Sequence, residues 1–432
     1  MAVAALVAFL CSLLLTPAVA AIAWRLGAVS HPDGGRRRQP RSTPLWGGLA
    51  VLIGLYAGAA VASGAGVIAT EDATWTAAIL LSAGIICLLG CYDDARAISA
   101  SSKLAGQLLA IAPLLLAGFH AERLLVFGLE VELGWLGVPL TAAWLILAIN
   151  ALNLLDGMDG LASSTGICVA LSIAGVATVL EASAPVLPAL LLAAALAGFL
   201  FHNFPPARVY LGDAGSLLVG LMLGAMAMQW SEKGPLTMNG ALAAILLLLP
   251  LADTGLAVVR RLLKQQSLFH GDRGHIHHRL LDRGFSTAQA LAMLGGLSLV
   301  NGCLAFWAVA SGQDWLAWSA VAAGLPLLVY ARVLGHEEWA LFRRTLLAAV
   351  TRLPGTGNAT PAKEEVVAGK RFLLSIGEPK SPLPKPHFSR ETVPISRIDD
   401  GKRKTQKEGT SRKQSRLAAA TKRAQERRRS AA

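Results

Sequence analysis

Eleven long apolar runs alternate with short polar segments along the first 334 residues of the chain. The runs lie at residues 2–24, 46–68, 75–91, 104–118, 137–155, 161–180, 184–203, 215–230, 237–259, 288–310 and 315–334. Because they are apolar on every face rather than along one stripe, they predict helices that span a membrane. The pattern therefore predicts an all-α integral membrane protein with about eleven transmembrane helices. We interpret the first run as a retained span because no positively charged segment precedes it and further spans follow.

Basic residues concentrate in every second polar segment. The basic segments, which we call the basic loops, are residues 25–45, 92–103, 155–161, 203–214 and 260–287. The alternate segments carry only Arg123 and Lys233. The positive-inside rule places the basic loops in the cytoplasm, and eleven spans then put the N-terminus outside and the C-terminus inside.

Composition divides the chain into two parts. Only 15% of the residues are charged and 54% are hydrophobic, which disfavours an ordinary cytosolic enzyme and a disordered chain because soluble proteins are about 25% charged. Residues 351–432 lack apolar runs and carry 20 of the 39 Lys/Arg, enough to account for the whole net charge of +12. We predict a polytopic membrane domain at 1–350 and a basic, disordered cytoplasmic tail at 351–432. No motif indicates binding to nucleic acid.

The first chemical cluster is the pair Asp93 and Asp94, with Lys103 nine residues further on. Adjacent carboxylates at a membrane boundary repel each other unless water, a cation or a lysine lies between them. A solvated pair of loop acids explains this cluster equally well when it is considered alone.

A second cluster, of amides and carboxylates, closes the run at 137–155. Asn150, Asn153 and Asp156 follow an i, i+3, i+6 spacing that places them on one helical face, and Asp159 comes next. Such groups at the end of an apolar helix are costly unless they bind something polar. A helix end with a glycine turn is the plainer alternative.

Two more clusters lie in the basic loops. The segment 201–216 contains a proline pair that ends a helix, then a glycine-rich stretch in which Asp213 or Ser216 could cap a new helix or face a phosphate. The segment 270–279 holds four histidines and two arginines. These cations suit an anionic diphosphate best, while a transition-metal site and a solvated basic loop stay open. With the acids, they form an inventory for Mg²⁺-assisted phosphoryl transfer.

Taken in order, these motifs resemble those of a known enzyme family. The stretches DDARAISASSK, NALNLLDGMDGLA, NFPPARVYLGDAGS and HIHHR are similar to the polyprenyl-phosphate N-acetylhexosamine-1-phosphate transferases, glycosyltransferase family 4. The resemblance covers roughly residues 25–290. Asp253 and the stretch DRGHIHHRLLDRG are similar to the WecA/TagO-like branch, which is related to MraY. The loop after the first span lacks the usual lysine of the family, so no role is carried from it.

The resemblance implies roles for the matching residues. It implies a Mg²⁺ site, with Mn²⁺ as an alternative, at Asp213 and Asn153. It implies catalytic roles for Asp93, Asp94, Lys103, Asp156 and Asp159. It implies substrate binding by Asn150, Asn153, Tyr210, His275, His277, His278 and Arg279. Tyr210 would stack on uracil, and the histidines would hold the diphosphate or the sugar.

The resemblance also implies a reaction. A UDP-N-acetylhexosamine, with UDP-GlcNAc as the first choice, would give its sugar-1-phosphate to undecaprenyl phosphate and release UMP. The polyprenyl-diphosphate sugar would initiate a cell-envelope glycan of the cell wall or of lipopolysaccharide O-antigen. The enzyme would lie in a bacterial inner membrane, in contact with membrane lipid, and a homodimer stays open as its assembly.

The main alternative is a polytopic transporter of an anionic solute. Acids inside a span, such as Asp253, often mark ion pathways. However, no inverted repeat is visible in the sequence, and the polar residues crowd one face instead of the midplane. A structural hydrogen bond from Asp253 to a neighbouring helix is the simpler explanation. An interaction protein that acts through its basic tail is a further alternative.

Overall fold

The computed structural model describes residues 1–31, 42–70, 72–228, 237–266 and 274–330, and within them the chain is mostly helical. The helices are α1 Ala2–Leu26, α2 Gly47–Gly64, α3 Ala73–Ala95, α4 Ala100–Leu116, α5 Gly137–Leu155, α6 Leu161–Val179, α7 Val186–Asn203, α8 Gly212–Met226, α9 Gly240–Leu246, α10 Leu248–Leu263, α11 Ile276–Asp282, α12 Thr287–Ala310 and α13 Asp314–Tyr330. The predicted tail at 351–432 lies outside the described residues and stays a prediction.

Each of the eleven apolar runs contains at least one helix. Fewer than eleven of the described helices are long enough to cross a membrane. Within the described residues, seven helices meet the length and hydropathy expected of a span, or eight with a broken one. The broken one is the ninth run, where α9 and α10 meet at an angle of 85°. Helices α4 and α8 have 17 and 15 residues. The chain is therefore a polytopic helical membrane protein, and the count of eleven spans stays a prediction.

Helix α8 forms the centre of the bundle. It packs against α2, α3 and α5, and every residue from Ala214 to Met226 is buried. Small residues make this close approach possible: a side chain at Gly48 on α2 would collide with the backbone of Gly215 on α8. Glycine contacts of this kind are a common way for helices to pack inside a membrane.

Five short strands accompany the helices within the described residues. Strands β1 Val29–Ser30 and β2 Thr43–Pro44 pair antiparallel after α1. Strands β3 Arg123–Val126 and β4 Leu129–Glu132 form a hairpin, and β5 Thr237–Asn239 pairs parallel to β3. A search for long apolar runs overlooks these segments because they are short and half polar. Positive φ angles at the two turn residues of the hairpin are typical of tight two-residue connections.

The helices alternate in direction, so the basic loops gather at one end of the bundle. There α3, α5 and α7 end while α4, α6 and α8 begin, as shown by hydrogen bonds from Asp213 to Asp94, Lys103 to Asn153 and Gly160 to Asn203. Because α1 also reaches this end beside β1, residue 1 lies at the opposite end, as does the β3–β4 hairpin. The described residues of the sequence clusters therefore lie at the same end of the bundle, as predicted.

Candidate active site

A cavity of about 270 Å³ opens at the end of the bundle where the basic loops meet. Its lining is Ser30, Leu45, Asp94, Asn153, Asp156, Gly157, Met158, Asp159, Asn203, Tyr210, Gly212, Asp213 and His278. All of these residues except Ser30 and Leu45 come from the four sequence clusters, and the fourth cluster contributes His278. The four carboxylates among them make the cavity strongly acidic.

Asp94, near the end of α3, binds the N-terminus of α8. Its Oδ1 accepts a hydrogen bond from the backbone N–H of Asp213 (2.9 Å), and its Oδ2 accepts one from Ala214 (3.2 Å). A carboxylate in this position satisfies free N–H groups of the helix and benefits from the positive end of its dipole. Gly212 has a φ of 70°, and a side chain there would collide with the Asp94 carboxylate, so only glycine suits the position.

Lys103, in the first turn of α4, joins two carboxylates from different helices. Its Nζ lies 3.0 Å from Oδ2 of Asp93 and also forms an ion pair with Asp213. Oδ1 of Asn153 lies 3.5 Å from the same Nζ. Asp93 also accepts a hydrogen bond from the backbone N–H of Ile98 (3.0 Å), which fixes the turn between α3 and α4.

Asn153 holds the Asp213 side chain in place from α5. Its Nδ2 donates to Oδ1 of Asp213 (2.7 Å) and to Oγ of Ser216 (2.8 Å). Asp213 is therefore hydrogen-bonded by an amide, paired with an ammonium, and placed at the first turn of α8. This fixed orientation points a carboxylate at the cavity.

Asp156 ends α5 and faces the same acidic cavity. Burial raises the pKa of its carboxyl well above the ordinary range, and the negative charges of Asp213 and Asp94 raise it further. No hydrogen bond from the described residues reaches this carboxylate. Asp159, in contrast, accepts one from the backbone N–H of Ala207 (2.9 Å), so it ties the turn after α5 to the loop after α7.

The histidine segment forms one wall of the site. Asp253 accepts hydrogen bonds from Nδ1 of His275 (2.9 Å) and from the backbone N–H of Ile276 (2.9 Å), both at the start of α11. Asp253 therefore makes the structural hydrogen bond that the sequence left as an alternative, and the main support for a transporter is lost. Residues 270–273 of this cluster lie outside the described residues.

His277 is buried behind the cavity wall, against Gly157. Burial lowers the pKa of its imidazole to about 3, and neighbouring His278 contributes to the shift. Neither ring nitrogen finds a hydrogen-bond partner within the described residues. Arg279 is also buried, whereas His278 reaches the cavity.

The structure brings most of the predicted residues together: some line the cavity, some contact a residue that lines it, and others lie outside the lining. Seven of them line the cavity: Asp94, Asn153, Asp156, Asp159, Tyr210, Asp213 and His278. Two more, Asp93 and Lys103, join it through Asp213. The remaining four, Asn150, His275, His277 and Arg279, are absent from its lining. Asn150 pairs with Gln107 on α4.

Sequence reasoning missed Ser30, Leu45 and Gln107. A signal existed for Gln107, which is a polar residue one helical turn after Lys103 inside an apolar run. Ser30 and Leu45 have no such signal, because they are brought to the cavity by the β1–β2 pairing, which joins residues 13 and 15 positions apart.

The donor set is compatible with Mg²⁺ only if a substrate completes it. Across the described ranges, no group of three His, Cys, Asp or Glu is arranged to hold a metal ion. However, protein Mg²⁺ sites often use one or two carboxylates together with substrate phosphates and water. Asp213 and Asp156, with the amide oxygen of Asn153, offer such hard oxygen ligands around one cavity.

Comparisons with known proteins agree with these motifs. Residues 76–231 match the profile of glycosyl transferase family 4. A probable undecaprenyl-phosphate N-acetylglucosaminyl 1-phosphate transferase of Bacillus subtilis (strain 168) is 36% identical over 68% of this chain and 80% of its own length. A decaprenyl-phosphate N-acetylglucosaminephosphotransferase of Mycolicibacterium smegmatis is 34% identical over 64% and 74%. A phospho-N-acetylmuramoyl-pentapeptide-transferase of Moorella thermoacetica is 33% identical over 60% and 85%.

Proposed function

We propose a specific reaction for this chain, which belongs to glycosyl transferase family 4. The chain transfers N-acetylglucosamine-1-phosphate from UDP-N-acetylglucosamine to undecaprenyl phosphate and releases UMP. Its product, a polyprenyl-diphosphate sugar, starts the assembly of a cell-envelope glycan. The names of the relatives from Bacillus subtilis and Mycolicibacterium smegmatis support the sugar and the class of lipid.

One observation carries the proposal. Acidic side chains from α3, from the end of α5 and from α8 line a single cavity at the end of the helical bundle, and Lys103 of α4 forms an ion pair with one of them, Asp213. A polyprenyl phosphate keeps its tail in the bilayer, whereas a nucleotide sugar is dissolved in the cytosol. Only a site at the boundary between membrane and water can reach both, and this cavity lies where the apolar helices give way to the basic loops.

The cations at the cavity offset the charge of two phosphorylated substrates. A lipid phosphate and a nucleotide diphosphate repel each other, so the Lys103 ammonium lowers the cost of their approach. Tyr210 and His278 both line the cavity. In the proposed complex, Tyr210 would stack on the uracil base and His278 would contact the diphosphate or the sugar. The N-terminus of α8, fixed by Asp94, keeps Asp213 directed at the reacting phosphates.

Asp156 is the carboxylate best suited to accept a proton from the lipid phosphate. Burial raises the pKa of its carboxyl well above the ordinary range, which increases its affinity for a proton, and no hydrogen bond from the described residues occupies its oxygens. Asp94 is less suited because both of its oxygens already accept backbone hydrogen bonds.

Mg²⁺, or Mn²⁺ in its place, completes the proposal. Asp213 and Asn153 would hold the ion, with Asp156 beside them. When bound, the ion supplies positive charge to the diphosphate and to the leaving UMP.

We place the chain in a bacterial inner membrane with the cavity, the basic loops and the C-terminus in the cytoplasm. The charge difference between alternate loops supports this orientation. Because residue 1 lies at the end of the bundle opposite the cavity, the N-terminus would be outside. Alkaline phosphatase fused after Gly118 should be active, and a fusion after Arg96 should be inactive. The reverse result would contradict the orientation.

The reaction is tested with purified protein, undecaprenyl phosphate, Mg²⁺ and a panel of labelled nucleotide sugars. The panel is UDP-N-acetylglucosamine, UDP-N-acetylgalactosamine and UDP-glucose. We expect a labelled lipid from UDP-N-acetylglucosamine and none from UDP-glucose. A labelled lipid from UDP-N-acetylgalactosamine alone would overturn the choice of sugar, and the absence of any labelled lipid would overturn the reaction.

A further inference from the structure

Gln107 and Asn150 form a reciprocal pair of hydrogen bonds between α4 and α5. Nε2 of Gln107 donates to Oδ1 of Asn150 (3.3 Å), and Nδ2 of Asn150 donates to Oε1 of Gln107 (3.0 Å). Nδ2 of Asn150 also donates to the carbonyl oxygen of Ile146 (2.8 Å). Gln107 is only 1% exposed. Both amides are therefore used within the protein, and neither belongs to the lining of the cavity.

The pair lies one helical turn from two residues of the active site. Gln107 follows Lys103 by four positions on α4, and Asn150 precedes Asn153 by three positions on α5, so each pair of neighbours shares a helical face. Lys103 and Asn153 approach each other at 3.5 Å. The two helices are thus joined by two polar contacts in succession, one at the cavity and one deeper in the bundle.

Among the described residues, the Gln107–Asn150 contact is the only one on the buried residues of α4 that depends on the direction of hydrogen bonds. The other buried residues of this helix are Ala110, Ile111 and Leu114, whose apolar packing tolerates small shifts along the helix axis. Two planar amides can exchange hydrogen bonds only when they face each other in one register. A rotation or translation of α4 would break both hydrogen bonds at once.

We propose that Gln107 and Asn150 are positioning residues that set the register of α4 against α5. This register places Nζ of Lys103 between Asp93 and Asp213 and against Asn153. Asn150 therefore acts on the reaction through Asn153 and Lys103 and does not touch the substrate. The inference rests on the proposed function because it concerns the same transfer reaction.

Four variants separate positioning from simple stability. The single variants Gln107→Leu and Asn150→Leu each leave one buried amide without its partner. The double variant Gln107→Leu/Asn150→Leu replaces both amides with apolar groups, and Gln107→Asn/Asn150→Gln exchanges them. Asn301→Leu is the matched control, because Asn301 is a buried amide on α12 and is not among the site residues. For each protein, kcat, KM for UDP-N-acetylglucosamine and Tm are measured.

We expect Gln107→Leu to lower kcat by about 10- to 100-fold, as small displacements of catalytic groups do, with KM unchanged. The double leucine variant should recover Tm, because no amide is left unpaired, while its kcat stays low. The exchanged pair should recover both quantities in part. The control should keep the kcat of the folded protein whatever its effect on Tm.

Two results would overturn the inference. One is a Gln107→Leu variant with the kcat of the wild type. The other is a double leucine variant whose kcat recovers together with Tm, since the pair would then serve stability alone. A wild-type protein that transfers no sugar phosphate in the same assay would overturn the proposed function and this inference with it.

Discussion

Asp94 and Asp213 are 119 positions apart in the chain, yet the backbone N–H of Asp213 donates a hydrogen bond to Oδ1 of Asp94 at 2.9 Å. The contact fastens the end of α3 to the start of α8, the most buried helix of the bundle. The carboxylate of Asp94 thereby fixes the position from which the Asp213 side chain reaches the cavity. One hydrogen bond therefore brings the carboxylates of Asp94 and Asp213 to the same cavity.

Substitutions at Asp94 should separate its structural role from its charge. Asp94→Ala removes both acceptors from the start of α8, which should cost about 0.5–2 kcal/mol of stability. Asp94→Asn keeps one acceptor oxygen, so its Tm should stay closer to that of the wild type. Transfer should fall in both variants. Thermal unfolding in detergent measures the loss of stability in each variant. An equal loss of Tm in Asp94→Ala and Asp94→Asn would contradict the capping role.

Removal of the Lys103 ammonium should impair catalysis strongly. Lys103→Met leaves Asp93 and Asp213 close together without their shared cation, and it removes positive charge from the phosphates. We expect kcat to fall by about 10²- to 10³-fold, as for other groups that stabilise developing charge. Lys103→Arg should keep part of the activity, because arginine retains the charge but not the shape. Initial rates of UMP release give the comparison, and a fully active Lys103→Met would exclude the role.

Tyr210 should contribute to binding of the nucleotide. Stacking of a base on an aromatic ring is worth about 1–3 kcal/mol, so Tyr210→Ala should weaken binding of UMP by roughly 5- to 150-fold. Tyr210→Phe keeps the ring and serves as the control. Calorimetric titration with UMP measures both affinities. Equal affinities for the wild type and Tyr210→Ala would remove stacking from the site.

The stability of the protein should depend on pH through His277. The folded state holds its pKa at about 3, below the ordinary value of 6.5. Between these values the unfolded chain binds a proton that the folded chain excludes, so stability is lost as pH falls, by at most about 1.4 kcal/mol per pH unit. Tm measured from pH 7 to pH 5 should therefore fall less steeply for His277→Gln than for the wild type. Parallel slopes would show that the buried imidazole does not titrate in this way.

The sequence predicted the helices and the convergence of the main clusters, because apolar length and loop charge are local properties. It also predicted the direction of Asn153 and Asp156, which share a face of α5 by their spacing. Asn150 lies on the same face but meets Gln107 before it can reach the cavity. That partner belongs to another helix, so spacing within one helix could not reveal it.

Two further features of the fold were not predicted from the apolar runs. The 85° bend at the ninth apolar run lies three residues before Pro250, which has no N–H for residue 246 and whose ring disfavours a continuous helix there, but a search for apolar length does not use this signal. The strand β5 pairs with β3, more than a hundred residues earlier, and this contact depends on how the helices between them pack. Local propensity carries no information on this strand pairing.

The fate of the β-phosphate of the nucleotide sugar tests the proposed reaction most directly. Purified protein is incubated with undecaprenyl phosphate, Mg²⁺ and UDP-N-acetylglucosamine that carries ³²P at the phosphate next to the sugar. Transfer of sugar-1-phosphate predicts that the label moves into the lipid while an equal amount of UMP is formed. If the label stays in released UDP while the sugar moves alone, or if the lipid gains no label, the reaction assigned to this site is wrong.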